Sequence, residues 1–423
     1  MNQNKFSPYQ RNVVVLLAIV QFTIVLDFMV MAPLGDILMK SMQLDTKQFA
    51  AAVSAYAFSA GASGLLAAGF ADKFDRKKIL LFFYSGFIIG TFICGIATTY
   101  PVLMAGRIIC GLFGGVMSSI SMAIVADLFA YELRGRVMGI VQMAFAVSQV
   151  AGIPFGLYLA NNFGWEAPFL LIVAISIVSA LAIWRILQPV SKHIGSNGVN
   201  PIIHLKNTVS NRKYLLPFAT TALLSIGGYL MMPFSTPFII NNVEILQEQL
   251  PIIYVATGIG SMIMMPLIGR ISDRVGKYPT FLTGSIIAMI MIWVYTHLNP
   301  VPVWQVIIVN TIMFAGIMSR MIPSTALMSA IPTMEDRGAF MSINSSLQQV
   351  AGGVASVLAG LIIYQQANGK LVHFDTLGYV AIFIMVICAF QMYVISNRVT
   401  RNLQQQSHSG GTKVESILEK DEQ

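Results

Sequence analysis

Three charged side chains lie inside long apolar runs: Asp27, Arg107 and Arg320. A charge in hydrocarbon costs several kcal/mol unless it is paired or hydrated, so each is a candidate functional group. Asp27 and Arg107 each sit about 10 Å from the nearer end of their run, at ~1.5 Å per helical residue. A carboxylate at that depth is a candidate proton carrier. Arg320 lies midway along its run, with Pro323 as a possible kink. It is suited to binding an anionic or polyhydroxyl solute. It could equally cap backbone carbonyls or reach the acids Glu335 and Asp336, and both readings stand. Gln21, Gln142, Asn310 and Asn344 are the polar candidates for lining a solute cavity; such side chains more often tie membrane helices together.

Other chemistries find no support. Gly61-Ala-Ser63-Gly64 has the spacing of an intramembrane serine nucleophile. That chemistry needs a histidine base, and none of His193, His204, His297, His373 and His408 is central in an apolar run. No phosphate-binding glycine loop is present, no His/Cys cluster suggests a metal, and no cofactor is implied. Cys94, Cys110 and Cys388 lie in apolar stretches and form no disulfide framework. An enzyme is therefore not expected.

The elements that position these groups follow from composition. The chain has 423 residues, 56% hydrophobic and only 10% charged, against ~25% charged in soluble domains. A soluble globular enzyme is nearly excluded. Twelve apolar runs reach the length of roughly 20 residues that crosses a bilayer: 13–34, 49–69, 79–99, 102–126, 137–160, 166–187, 214–239, 252–269, 280–297, 303–330, 339–364 and 376–396. Backbone in lipid must bond to itself, so these are helices.

Lys and Arg set the orientation. With the N-terminus inside, 21 of the 26 basic residues fall on inner segments, and only Lys40, Lys47 and Lys370 fall on outer ones. Both termini are thus expected in the cytoplasm, and the net charge of +8 is a topology signal with no nucleic-acid partner implied. The first run is read as a signal anchor. The expected organisation is a six-helix bundle over 1–187, a cytoplasmic linker over 188–213, a second bundle over 214–397 and a disordered cytoplasmic tail over 398–423.

The halves repeat. Asp72 and Asp273 stand in similar loops 201 residues apart; Arg134-Gly135 and Arg337-Gly338 are offset by 203; Gln149-Val-Ala-Gly152 and Gln349-Val-Ala-Gly352 are offset by 200. Three matches in one order argue for duplicated halves. The same offset places Arg107 opposite Asn310, so Arg320 is not its repeat partner.

With these motifs the chain resembles the major facilitator superfamily over nearly all but its tail. The segment Ala68-Gly-Phe-Ala-Asp72-Lys-Phe-Asp75-Arg76 and the copy at Gly269-Arg-Ile-Ser-Asp273-Arg274-Val-Gly276 are similar to that family's G-x-L-a-D-r-x-G-r-k loop. Ala68 and Asp75 replace its two glycines in the first copy. Leu103-x3-Arg107-x2-Cys110-Gly111 is similar to the L-x3-R-x2-q-G pattern, with Cys110 in place of Gln. Gly152-Ile-Pro154-Phe-Gly156 resembles the antiporter motif without its strict Gly-Pro pair, and Leu26-Asp27-x5-Pro33 resembles the drug and sugar efflux branch.

The resemblance implies an all-α fold of two pseudo-symmetric six-helix bundles around a central site, with Asp27 and Arg107 facing one cavity and interacting directly or through water. It implies a proton-coupled antiporter that exports drug-like or sugar-like small molecules across the cell inner membrane, working as a monomer. A guanidinium nearby favours the ionised carboxylate and burial favours the protonated one, so a movement that changes both would load and release a proton. A static pair that fixes helix packing is the other reading. Asp72, Arg76, Asp127 and Arg136 would form an inner gate, with Asp273 and Arg274 as the second-half equivalent; otherwise they are solvated topology charges. Gly152, Pro154 and Gly156 would allow close helix approach and a bend. A facilitator or proton symporter for an organic solute, anionic or neutral, uses the same parts, and a non-transporting membrane sensor is a further alternative.

Overall fold

The computed structural model describes residues 6–67, 74–191, 201–333 and 336–421, with the backbone alone at 66–67, 131–132, 201–204 and 402–421. Long helices dominate: α1 (Pro8–Val30), α2 (Thr46–Ala67), α3 (Arg76–Gly95), α4 (Tyr100–Leu128), α5 (131–163), α6 (Ala167–Ile186), α7 (Arg212–Asn241), α8 (Leu250–Val275), α9 (Lys277–Thr296), α10 (Val303–Ser329), α11 (Arg337–Ile362) and α12 (Phe374–Asp421). Eleven of these, all but α2, are long and apolar enough among the described residues to cross a membrane. At 22 residues, α2 is about 33 Å long and supplies the twelfth span. Composition alone gives a disordered tail from 398, whereas α12 runs on to Asp421; Gln, Leu, Glu and Lys are strong helix formers. The linker region holds a short helix, Pro201–Ser210.

Packing repeats as the sequence does. In the first half α1 lies on α5 and α6, α4 on α2 and α3, and α3 on α6. In the second half α7 lies on α11 and α12, α10 on α8 and α9, and α9 on α12. The same five pairings recur in each bundle of six. The halves meet along two seams, α2 on α11 and α5 on α8, which the repeat also exchanges.

Prolines mark a further repeat that the loop motifs did not reveal. α1 ends before Pro33, and the short helix Gly35–Ser41 follows; α7 is interrupted at Pro233 by a 3-10 turn, Met232–Phe234, and resumes as Ser235–Asn241. A proline removes one helical hydrogen bond and crowds the preceding turn. The two breaks fall 200 residues apart, each followed by a helix of seven residues.

At the end of the molecule away from the start of α1, the halves are tied together. Thr46 Oγ1 donates to the Ile363 carbonyl at 2.9 Å, Asn241 Nδ2 to Asp36 Oδ1 at 2.6 Å, and Gln247 Nε2 to Asn161 Oδ1 at 3.1 Å. A small antiparallel hairpin, β1 (Tyr364–Gln365) and β2 (Leu371–Val372), pairs Tyr364 with Val372 and Gln365 with Leu371. Asn242 clasps it by accepting from the Leu371 amide and donating to the Leu371 carbonyl, both at 2.9 Å. At the opposite end Met321, Thr325 and Met341, which face the space between the halves, are exposed. The bundle is therefore closed at one end and open at the end that carries the start of α1.

Candidate functional site

Asp27 and Arg107 meet directly. Arg107 Nη1 donates to Asp27 Oδ2 at 3.0 Å, and Thr91 Oγ1 donates to Asp27 Oδ1 at 3.2 Å. The three residues bring α1, α4 and α3 together, and glycines permit the approach: a Cβ at Gly90 would lie 2.6 Å from the Cys110 nitrogen. Both charged side chains are fully buried. The expectation that they face the cavity is therefore corrected: they are sealed inside the first bundle. The Arg107 guanidinium rests over the Tyr56 ring, 4.7 Å from its centroid. Arg107 Nε and Nη2 have no hydrogen-bond partner, so one carboxylate and one aromatic face compensate the whole cation. A buried pair of this kind is held at the cost of desolvating both ions, and loss of either partner strands the other.

Tyr56 also lines a polar compartment of about 180 Å³ between α1, α2, α4 and α11. Gln21 sits there, accepting from Ser118 Oγ at 3.1 Å, with Ser346 and Gln349 opposite. Phe28, Phe145 and Tyr229 line this compartment and also a larger cavity of about 250 Å³ between the halves. One ring, Tyr56, thus separates the ion pair from a compartment that shares three wall residues with the central cavity.

The larger cavity takes most of its wall from α7, α8, α10 and α11. Asn310, Asn344, Gln149 and Arg320 supply its polar points, with methionines and Tyr229, Tyr254 and Tyr295 between them. Asn344 Oδ1 accepts from Thr221 Oγ1 at 2.6 Å. Gln142 is not part of this wall; it is exposed, three residues before Phe145 and towards the open end. Arg320 is 1% exposed. It has no carboxylate partner among the described residues, and its Nε and Nη2 are unsatisfied. Its guanidinium lies 5.6 Å from the Phe281 centroid, beside the Cys388 thiol. Asp336 instead accepts from the Tyr214 hydroxyl at 2.7 Å, and Glu335 lies outside the described residues.

At the open end, Arg76 Nε donates to Asp127 Oδ2 at 3.1 Å, tying the start of α3 to the end of α4. Asp72 lies outside the described residues. Arg136 stacks on Phe6, 4.8 Å from the ring centroid, at the start of α1. The second-half counterpart differs from expectation: Asp273, near the end of α8, pairs with Lys277 at the start of α9, and Arg274 has no ion-pair partner among the described residues. In α5, a π turn, Ser148–Gly152, precedes Pro154. Proline has no N–H for the carbonyl one turn before it, and the π turn shifts the bonding there, with the Ile153 amide donating to the Ser148 carbonyl. A Cβ at Gly152 would reach within 2.7 Å of Leu26 and one at Gly156 within 3.2 Å of Val30, so both glycines seat α5 against α1.

Thr91 and Tyr56 were not singled out in the sequence, because threonine and tyrosine are ordinary in spans; only the contact with Asp27 and Arg107 gives them a role. Gln149 served only as a repeat marker, and Asp36 lay just beyond the first run.

Two repeated six-helix bundles enclosing a cavity within the membrane define a multi-pass transport protein. The Major Facilitator Superfamily model matches residues 17–356 and 252–418, and the chain belongs to that superfamily. An uncharacterised MFS-type transporter of Bacillus subtilis (strain 168), YceJ, is 24% identical over 377 residues, covering 88% of this chain and 94% of the relative. A probable sugar efflux transporter of Helicobacter pylori (strain G27) is 22% identical over 349 residues, covering 82% and 86%. Among solved structures, an inward-facing, unoccupied bacterial homologue of the human lysosomal transporter Spinster superposes with a TM-score of 0.71 at 15% identity, covering 94% of this chain and 99% of that one. A D-xylose–proton symporter gives 0.73 at 15% identity, covering 91% and 97%. At such identities these structures bear on the fold alone.

Proposed function

We propose that this transporter is a proton-coupled antiporter that exports drug-like or sugar-like small molecules across the cell inner membrane, as a monomer with both termini in the cytoplasm. The basic residues crowd the open end, so the positive-inside rule makes the present conformation inward-open. The observation that carries the proton step is the sealed Asp27–Arg107 contact of 3.0 Å. Any movement of α4 against α1 that lengthens it strands a carboxylate away from water, and such a group neutralises itself by taking up a proton. Rocking of the bundles about the α2–α11 and α5–α8 seams alternately exposes the cavity, and a shift of α4 against α1 within the first bundle must accompany it for the pair to part. Arg76 with Asp127, together with Asp72 and Arg136, forms the inner gate in this scheme; Arg76 is buried and Asp127 partly so, and the pair must part in each cycle. Export is supported by the sugar efflux relative and by the efflux-like motif around Asp27.

The test is a solute screen in an efflux-deficient host, repeated with Asp27→Asn and with the proton gradient collapsed. Resistance that needs both Asp27 and the gradient supports the reading. Uptake in place of export makes the protein a symporter, and gradient-independent flux makes it a facilitator. Ligand binding without flux in reconstituted vesicles would make it a sensor.

A further inference from the structure

The central cavity carries one charge. Among the described residues that wall it, Arg320 alone is ionic, and no Asp or Glu is among them. Arginine remains protonated in any protein environment. It is 1% exposed, two of its nitrogens have no hydrogen-bond partner, and no carboxylate of the described residues compensates it. This contrasts with Arg107, an equally buried guanidinium that is closed off against Asp27. A buried cation left unsatisfied destabilises the protein; Nε and Nη2 of Arg320 are shielded from the cavity, so a group arriving there pairs with them once the side chain turns inward.

The rest of the wall describes that group. Asn310 and Asn344 lie on α10 and α11, where Arg320 also projects, and can donate to oxygen. Met313, Met318, Met321 and Met328, on the same helix as Arg320, present soft, adaptable apolar surface. Tyr229 and Tyr254 add aromatic faces. A cavity of about 250 Å³ is smaller than the ~300–1,000 Å³ usual for drug-sized ligands. We infer that the transported solute is a small organic monoanion, a carboxylate or its like on an apolar body, with the anion seated on Arg320 and the body among the methionines. The inference rests on the transporter reading and narrows its solute class. It disfavours cationic drugs, which the same guanidinium would repel.

The experiment measures binding to the purified protein without a proton gradient, so a failure of proton coupling cannot be mistaken for a failure of this inference. Phenylalkanoates of two to six chain carbons are titrated beside their amides and amines, by calorimetry and by thermal shift. At least one carboxylate is expected to bind about tenfold or more tighter than its amide and its amine. Arg320→Met abolishes that preference, Arg320→Lys keeps part of it, and Arg320→Met raises the melting temperature of the ligand-free protein. Equal or better binding of the neutral or cationic forms, or no binding by any of them, overturns the inference. So does an anion preference that survives Arg320→Met. A fall in ligand-free melting temperature on Arg320→Met assigns the guanidinium to carbonyl capping and also overturns it.

Discussion

Tyr56 covers Arg107: the guanidinium stands 4.7 Å from the ring centroid, and the same residue lines the polar compartment beside the central cavity. The ring is both a cation–π partner and the partition between the buried ion pair and a space where solvent can enter. Tyr56→Phe keeps ring and cover, and we expect solute transport and proton coupling close to the parent. Tyr56→Ala removes the partition and is expected to raise passive proton flux several-fold in vesicles without solute. A pH-sensitive dye reads this directly; an unchanged leak in the alanine variant would show that the pair is sealed by something else.

Asn241 and Asp36 latch the closed end. The buried Asp36 carboxylate accepts from Asn241 at 2.6 Å across the halves and from Lys40 at 2.8 Å within its own. Losing a hydrogen bond to a charged, buried acceptor costs about 1–3 kcal/mol, which corresponds to a population shift of roughly 5–150-fold. Asn241→Leu should therefore move the equilibrium towards opening at that end. Spin labels at Gln43→Cys and Glu248→Cys, exposed at that end on opposite halves, would report a second, longer distance. A single unchanged distance would mean the latch contributes nothing.

The fold was readable in the residues because lipid leaves the backbone few choices: apolar length fixed the spans, and three spaced motifs exposed the duplication. Spatial facts within one bundle were less legible. Asp27 and Arg107 announce themselves by being charged, but nothing in their spacing says that Thr91 and Tyr56 complete the cage, or that the pair is walled off from the cavity. Helix rotation decides that, and in α3 and α4 glycine contacts set the rotation. Gln142 illustrates the same limit from the other side: a polar residue on a suitable face fell one turn beyond the wall it was expected to line. The repeat of Pro33 at Pro233 was visible in the sequence and would have placed both breaks.

Glycine packing between α2 and α4 holds Tyr56 in place. A Cβ at Gly111 would come within 2.3 Å of the Tyr56 carbonyl oxygen, and one at Gly115 within 2.4 Å of that of Ala60. These neighbours are backbone and cannot rotate away. Gly111→Ala is expected to cost about 1–3 kcal/mol and to lower the melting temperature of the detergent-solubilised protein. Gly139→Ala, in open space, should be neutral or stabilise by up to ~1 kcal/mol through helix propensity. Equal effects at the two sites would contradict the packing described.

The most direct test is made in proteoliposomes carrying the solute that the screen identifies, with proton movement and solute movement recorded together. In the parent protein, adding solute should drive protons in the opposite direction, and an imposed pH gradient should accelerate solute flux. Asp27→Asn should still exchange solute while moving no protons and ignoring the gradient. Full proton-dependent accumulation by Asp27→Asn would contradict the assignment of the coupling site to the Asp27–Arg107 pair.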